Sequence, residues 1–289
     1  MTSGVVAELP FAVRKSVEDF QRFIAEKYGS HSLSWGIDAK QLIQSAAEEI
    51  GQIGMLNTNA ADLISIGKML RATLDPKLPE TRACGYVYPT EEELFIRITA
   101  PSWPCLTPRH RFTIAHEYGH ALFYSLPPGR RQRIIPSHIG MASREAKREE
   151  GLCDSFAATL LVPSRLLHEI GRSEPDLVVI DRWSVRLGVS REVLARRLLQ
   201  DTPYWPETVL YLIRCTNQSD DVTVFRGRSR KRDRRDRRIR TGPTVLEQIQ
   251  SAAARRSSEE HLLVDLFSSW ALQVEEHAWE RGESIWIRA

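Results

Sequence analysis

The sequence predicts an α+β fold, mainly helical around a small sheet, followed by a helix-turn-helix-like hairpin and a C-terminal α/β unit. Three observations carry it. Apolar residues recur at helical spacing over 11–29 and 38–71, two short runs read as strands at 85–88 and 94–99, and a capped helix is written between Thr107 and Pro127. At 289 residues, with 42% hydrophobic and 27% charged, the chain is long enough to bury a core and to form more than one compact unit.

In order along the chain, the first helix carries Phe20, Phe23 and Ile24 on one stripe, and the second carries Leu42, Ile43, Ala46, Ala47 and Ile50. Both are expected to scaffold the rest of their domain. The Pro-rich segment Asp75–Pro79 marks a boundary, because proline removes a backbone donor and fixes φ. The strands Gly85-Tyr86-Val87-Tyr88 and Leu94-Phe95-Ile96-Arg97-Ile98-Thr99 come next. Thr107 is then an N-cap, Pro108 suits the first helical position, and Pro127 and Pro128 cannot continue the helix. A basic linker, Arg130 to Arg133, leads to a second helix through Glu150 that Pro163 ends. Val178 to Leu187, Gly188-Val189-Ser190 and Arg191 to Leu199 form the hairpin, with Gly188 permitting the turn and Ser190 capping the second helix. Beyond about residue 205, strands are expected at Val209–Ile213, Val222–Phe225 and Ser284–Ile287, and a capping box at Thr244–Glu247 opens a helix to Arg256. The expected units are 1–165, 166–202 and 203–289, the last with a basic loop at 226–240.

The capped helix contains His116-Glu117-Tyr118-Gly119-His120, an H-E-x-x-H motif. Residues four apart project from one helical face, so His116 and His120 can converge while Glu117 sits one step round the same turn. Two neutral imidazoles suit a borderline-soft ion such as zinc, and an unliganded carboxylate beside it can take a proton. The motif points to a metallohydrolase. A catalytic zinc usually takes three protein ligands, and the metzincin arrangement fails because Phe123 and Leu126 stand where a Gly and a third His would be. The better source is Glu150-Gly151-Leu152-Cys153-Asp154, where Glu150 and Asp154 lie one turn apart. Glu150 can ligate, and Asp154 can hydrogen-bond a liganding imidazole; Glu149 falls one residue out of that register. Tyr124, His138 and His168 are candidates for stabilising an oxyanion, with no spacing that selects among them.

The run R-x-R-F-T-I-A-H-E-x-G-H from Arg109 to His120, followed by E-x-x-x-D and F-A-A-x-L-L-x-P from Glu150 to Pro163, is similar to the ImmA/IrrE family of metallopeptidases. The resemblance covers about residues 80 to 165 and departs from the family's more frequent residues at Tyr118 and at Leu152-Cys153-Asp154. It implies a gluzincin-like, zincin-like metallopeptidase domain with His116, His120 and Glu150 on zinc, manganese being the second candidate ion, and Glu117 as the base. It also implies a substrate class: a regulatory protein, typically a helix-turn-helix repressor, whose cleavage derepresses stress-response or mobile-element genes.

Two other classes stand beside the endopeptidase. One is a metal-dependent module that sequesters a partner, toxin-like, without cutting it; the other is a DNA-binding regulator with a structural metal. Glu117 argues against the latter, because a closed structural zinc uses four protein ligands and has no use for a free carboxylate beside it.

Charge and cysteine usage set the expected surroundings. The run Arg226–Arg240 is net +8 in a chain of net +3, so the positive charge is local. Such a run is expected to be a solvated loop, capable of weak nonspecific contact with nucleic acid. Cys84, Cys105, Cys153 and Cys215 show no C-x-x-C spacing, which favours reduced thiols, with Cys153 packed in a core. No apolar run approaches a membrane span, and Met1–Lys15 lacks the pattern of a signal peptide, so a cytoplasmic location is expected.

Overall fold

The structure, a computed structural model, describes residues 9–27, 35–54, 60–75, 85–90, 93–98, 106–126, 130–136, 144–173, 177–198, 208–215, 221–228, 237–240 and 284–286. It is α+β and mostly helical, as the sequence predicts. Two compact units are present, Met1–Leu166 with Ser184–Ser190, and Leu167–Trp183 with Arg191–Ala289.

The first unit begins with helices α1 (Phe11–Lys27) and α2 (Trp35–Gly54), whose apolar stripes pack as the periodicity requires. Val13, Val17, Phe20 and Ile24 are buried on α1, and Ile43, Ala46, Ala47 and Ile50 on α2. The expected helix over 38–71 is two helices. The second, α3 (Leu63–Leu70), starts anew because the Asp62 carboxylate accepts from the amides of Ile64 and Ser65, satisfying donors that only a helix start leaves open.

Strands β1 (Ala72–Asp75), β2 (Gly85–Pro89) and β3 (Leu94–Ile98) form a sheet in the order β1-β3-β2. β1 pairs parallel to β3, Ala72 opposite Leu94, and β2 antiparallel to it, Val87 opposite Ile96. The sequence reading missed β1, whose first three residues abut the Pro-rich segment. Leu94, Ile96 and Ile98 alternate into the core, which is the period-two pattern of a sheet covered on one face.

Helix α4 (Pro108–Ala121) carries the H-E-x-x-H motif and starts as expected, with Thr107 Oγ1 accepting from the His110 amide. Its far end is held by α1, where Gln21 Nε2 donates to the carbonyls of Leu122 and Tyr124, acceptors that a helix C-terminus leaves open. Tyr118 points the other way, fully buried, and its hydroxyl donates to the Leu63 carbonyl at 2.6 Å.

Helix α5 (Arg144–Leu161) lies against α4 and α2 and ends before Pro163. Gly119 sets its distance from α4: a Cβ there would meet Cys153 Cα at 2.9 Å and Cβ at 3.1 Å. The glycine inside the motif is therefore what lets the two site-bearing helices approach. The basic linker expected at Arg130–Arg133 has two of its arginines built into the unit. Arg131 is buried with its guanidinium donating to the Leu70 carbonyl, and Arg133 is bridged in backbone pairing to Tyr124.

Helices α6 (Ser164–Gly171), α7 (Leu177–Leu187) and α8 (Arg191–Arg196) come next. Gly188 turns the chain at φ +64°, a left-handed conformation that suits glycine, close under the Arg111 side chain. Arg191 pairs with Asp181, Arg196 with Glu192, and Arg197 is buried. The guanidiniums that a DNA-reading hairpin would turn to phosphate are thus engaged within the protein.

In the second unit, β4 (Thr208–Cys215), β5 (Asp221–Arg228), β6 (Arg237–Arg240) and β7 (Ser284–Trp286) form a sheet in the order β6-β5-β4-β7. Both ends of the basic run expected as a loop are strand. Val222 stands opposite Ile239 and Leu212 opposite Phe225. The helix expected at 244–256 lies outside the described residues.

Candidate metal centre

Four side chains converge where α4 meets α5. His116 and His120 share one face of α4, with their Nε2 atoms 3.2 Å apart. Glu150 reaches both from α5, Oε2 at 3.1 Å from His116 Nε2 and Oε1 at 3.4 Å from His120 Nε2. Asp154, one turn further along α5, meets the other edge of the His116 ring, 2.9 Å from Nδ1. The structure thus brings together His116, His120, Glu150 and Asp154 in the arrangement their spacing allows.

The residue that spacing set aside is present too. Glu149 is buried and holds His120 Nδ1 at 3.0 Å, so each imidazole has its own carboxylate partner. A helical period places residues 149 and 150 about 100° apart, which sufficed to rule out a shared face but not a shared site. With Glu149 on one ring edge and Glu150 on the other, α5 straddles His120.

The donor set fits a divalent cation. Carboxylates only accept when ionised, so Asp154 and Glu149 accept hydrogen bonds from the Nδ1–H groups and leave the Nε2 lone pairs of both rings facing each other and the Glu150 carboxylate. Such a constellation calls for positive charge at its centre. Burial pulls the His116 imidazole down, but hydrogen bonds to Asp154 and Glu150 outweigh it and hold the group up at about 9. His120 is raised well above its ordinary value against the same burial, by Cys153, Glu149 and Glu150. Hydrogen bonds from the two histidines hold Glu150 far below the usual carboxylate range.

Cys153 offers a competing third donor, since its sulfur and the two histidines lie within 4.8 Å of one another. Its chemistry is poorer. Full burial pushes the thiol up to about 11, and a thiol must ionise to ligate, whereas the Glu150 carboxylate is charged and half exposed.

Glu117 follows His116 directly on α4, buried, and burial pushes its carboxyl up despite the nearby histidines. Its Oε1 is next to Gly85 at the start of β2. Of the three residues considered for an oxyanion, Tyr124 is buried beside Arg133, His168 is on α6 in the second unit and bonded to Arg172, and His138 lies outside the described residues.

Residues 107–199 match the family model of the IrrE N-terminal-like domain, Peptidase_M78. That stretch, which contains α4 and α5, is similar to the IrrE N-terminal-like domain, and the resemblance drawn from the motifs is borne out over it. Among solved structures, a Mycobacterium tuberculosis transcriptional regulator is similar at 17% identity and a TM-score of 0.38, over 69% of this chain and 57% of that chain. This chain therefore spans little more than half the length of that protein. No curated protein matches. Among the described residues no helix is long and apolar enough to cross a membrane.

Proposed function

We propose that the chain is a metal-dependent endopeptidase, with His116, His120 and Glu150 holding the ion, Glu117 as general base and Asp154 orienting His116. The observation that carries this reading is the convergence of two imidazole Nε2 atoms and one carboxylate, with a second, buried carboxylate alongside that binds neither ring. When bound, zinc, or manganese in its place, supplies Lewis acidity that acidifies water and polarises the scissile carbonyl. Glu117 takes the proton from the attacking water on its carboxylate and delivers it to the leaving amine, a role that its raised affinity for protons suits. His116 and His120 bind and do not move protons, because their Nδ1 atoms are committed to Asp154 and Glu149.

The substrate on this reading is a regulatory protein, a helix-turn-helix repressor whose cleavage derepresses stress or mobile-element genes in the cytoplasm. The family resemblance supports that class. The test incubates the purified chain with zinc or manganese and a candidate repressor, and looks for a single cut by mass spectrometry. A repressor that is bound but stays intact with every metal replaces the peptidase by a sequestering protein.

A further inference from the structure

The two imidazoles are oriented by carboxylates in opposite surroundings. Asp154, behind His116, has a side chain 60% exposed, whereas Glu149, behind His120, is 7% exposed and gripped from beyond by Arg133. Both Glu149 oxygens stand 2.6 Å from Arg133 Nη2, while Oε1 also meets His120 Nδ1 at 3.0 Å. Arg133 comes from neither α4 nor α5 but from segment 130–136.

That segment is pinned to the end of α4. Tyr124 and Arg133 form a backbone bridge, the Ser125 amide donates to the Gln132 carbonyl, and the Ile134 amide donates to the Phe123 carbonyl. The guanidinium lies 5.8 Å from the Phe123 ring centre and 5.5 Å from that of Tyr124, two buried aromatics that restrict where it can go. A glutamate has three side-chain torsions and, unaided, many ways to miss an imidazole. One fixed by a planar cation on a braced loop has few.

We propose that Arg133 is a positioning residue of the metal centre, fixing the Glu149 carboxylate so that it holds the His120 ring with Nε2 directed at the ion. This rests on the metal-binding reading above. It assigns a metal-site task to a residue of the basic segment, reached through a chain from the loop to the carboxylate to the imidazole. Among the described residues His116 has the exposed Asp154 on its Nδ1 edge, so the two ligands should differ in how strongly their support matters.

The experiment measures zinc dissociation constants by chelator competition on the full chain, together with the visible spectrum of the cobalt-substituted protein. Wild type, Arg133→Met, Arg133→Lys and Asp154→Asn are compared, with melting of the metal-free proteins as the folding control. Arg133→Met should weaken zinc about ten- to hundredfold and alter the cobalt spectrum, and Arg133→Lys should recover part of the loss. Should Arg133→Met fail to fold because it strands a buried carboxylate, Arg133→Met/Glu149→Gln removes both charges and the same loss of affinity is expected. Zinc affinity within twofold of wild type in the Arg133 variants, with an unchanged cobalt spectrum, overturns the proposal while leaving the metal site standing. A wild-type chain that retains neither zinc nor manganese overturns both.

Discussion

A methyl group on Gly85 would stand 2.9 Å from Oε1 of Glu117 and 2.8 Å from Cγ2 of Thr113. The start of β2 therefore abuts the proposed base directly. Thr113 is β-branched and stiff at its first torsion whereas the Glu117 carboxylate ends a longer side chain, so Gly85→Ala should displace the carboxylate. Displacements of this order can cost up to about a hundredfold in rate. The expected outcome is a fall in kcat of about tenfold or more with stoichiometric zinc retained, measured on one preparation. Overpacking should also cost about 1–3 kcal/mol of stability, readable by denaturant titration.

The two candidate third donors are separable by substitution. Glu150→Ala should strip stoichiometric zinc, since the carboxylate spans both histidines. Cys153→Ala should leave zinc content unchanged, because Glu150 already completes the proposed ligand set with the two histidines. Elemental analysis after gel filtration decides the matter, and the reverse result would hand the ligand role to Cys153.

How legible each feature is in the sequence depends on the range of the interactions behind it. The motif helix and its Thr107 cap were readable because capping and i,i+4 geometry are local. Glu150 and Asp154 were readable as a pair for the same reason. Glu149 was not, because its role depends on Arg133, sixteen residues earlier in a segment that the sequence marks only as a basic linker. Arg131 hides the same way, buried against Leu70. The break before α3 turned on Asp62, one side chain able to restart a helix, and an uninterrupted apolar period conceals that. In the basic run, net charge hid the strand β6, whose Ile239 stands opposite Val222 of β5.

Tyr118, where the resembling family more often has Leu, is tied to α3 by its hydroxyl. The site next to it leaves Gly67 without room for a side chain: an added Cβ would meet the Tyr118 hydroxyl at 2.5 Å and the Ala72 carbonyl at 2.8 Å. Tyr118→Phe should lose one buried hydrogen bond and destabilise the fold by about 1 kcal/mol, with zinc retained. Gly67→Ala should cost more than this, because one of its two clashes is with backbone. Denaturant midpoints of the two variants, measured with and without zinc, give the ranking, and a Gly67→Ala protein as stable as wild type would contradict the packing described.

Glu117→Gln separates binding from chemistry. Glutamine keeps the size and shape of the side chain in its buried place on α4, so neither the imidazole pair nor the helix contact should shift. What it cannot do is hold a proton between the attacking water and the leaving amine. The variant should keep stoichiometric zinc and bind the substrate as tightly as wild type, while the cleavage rate falls by about a hundredfold or more, the usual scale for losing a general base. Zinc content, substrate binding by anisotropy and cleavage by mass spectrometry on one preparation distinguish the outcomes. Loss of zinc along with activity would make Glu117 part of the ligand set, and full activity with zinc bound would move the base to another residue.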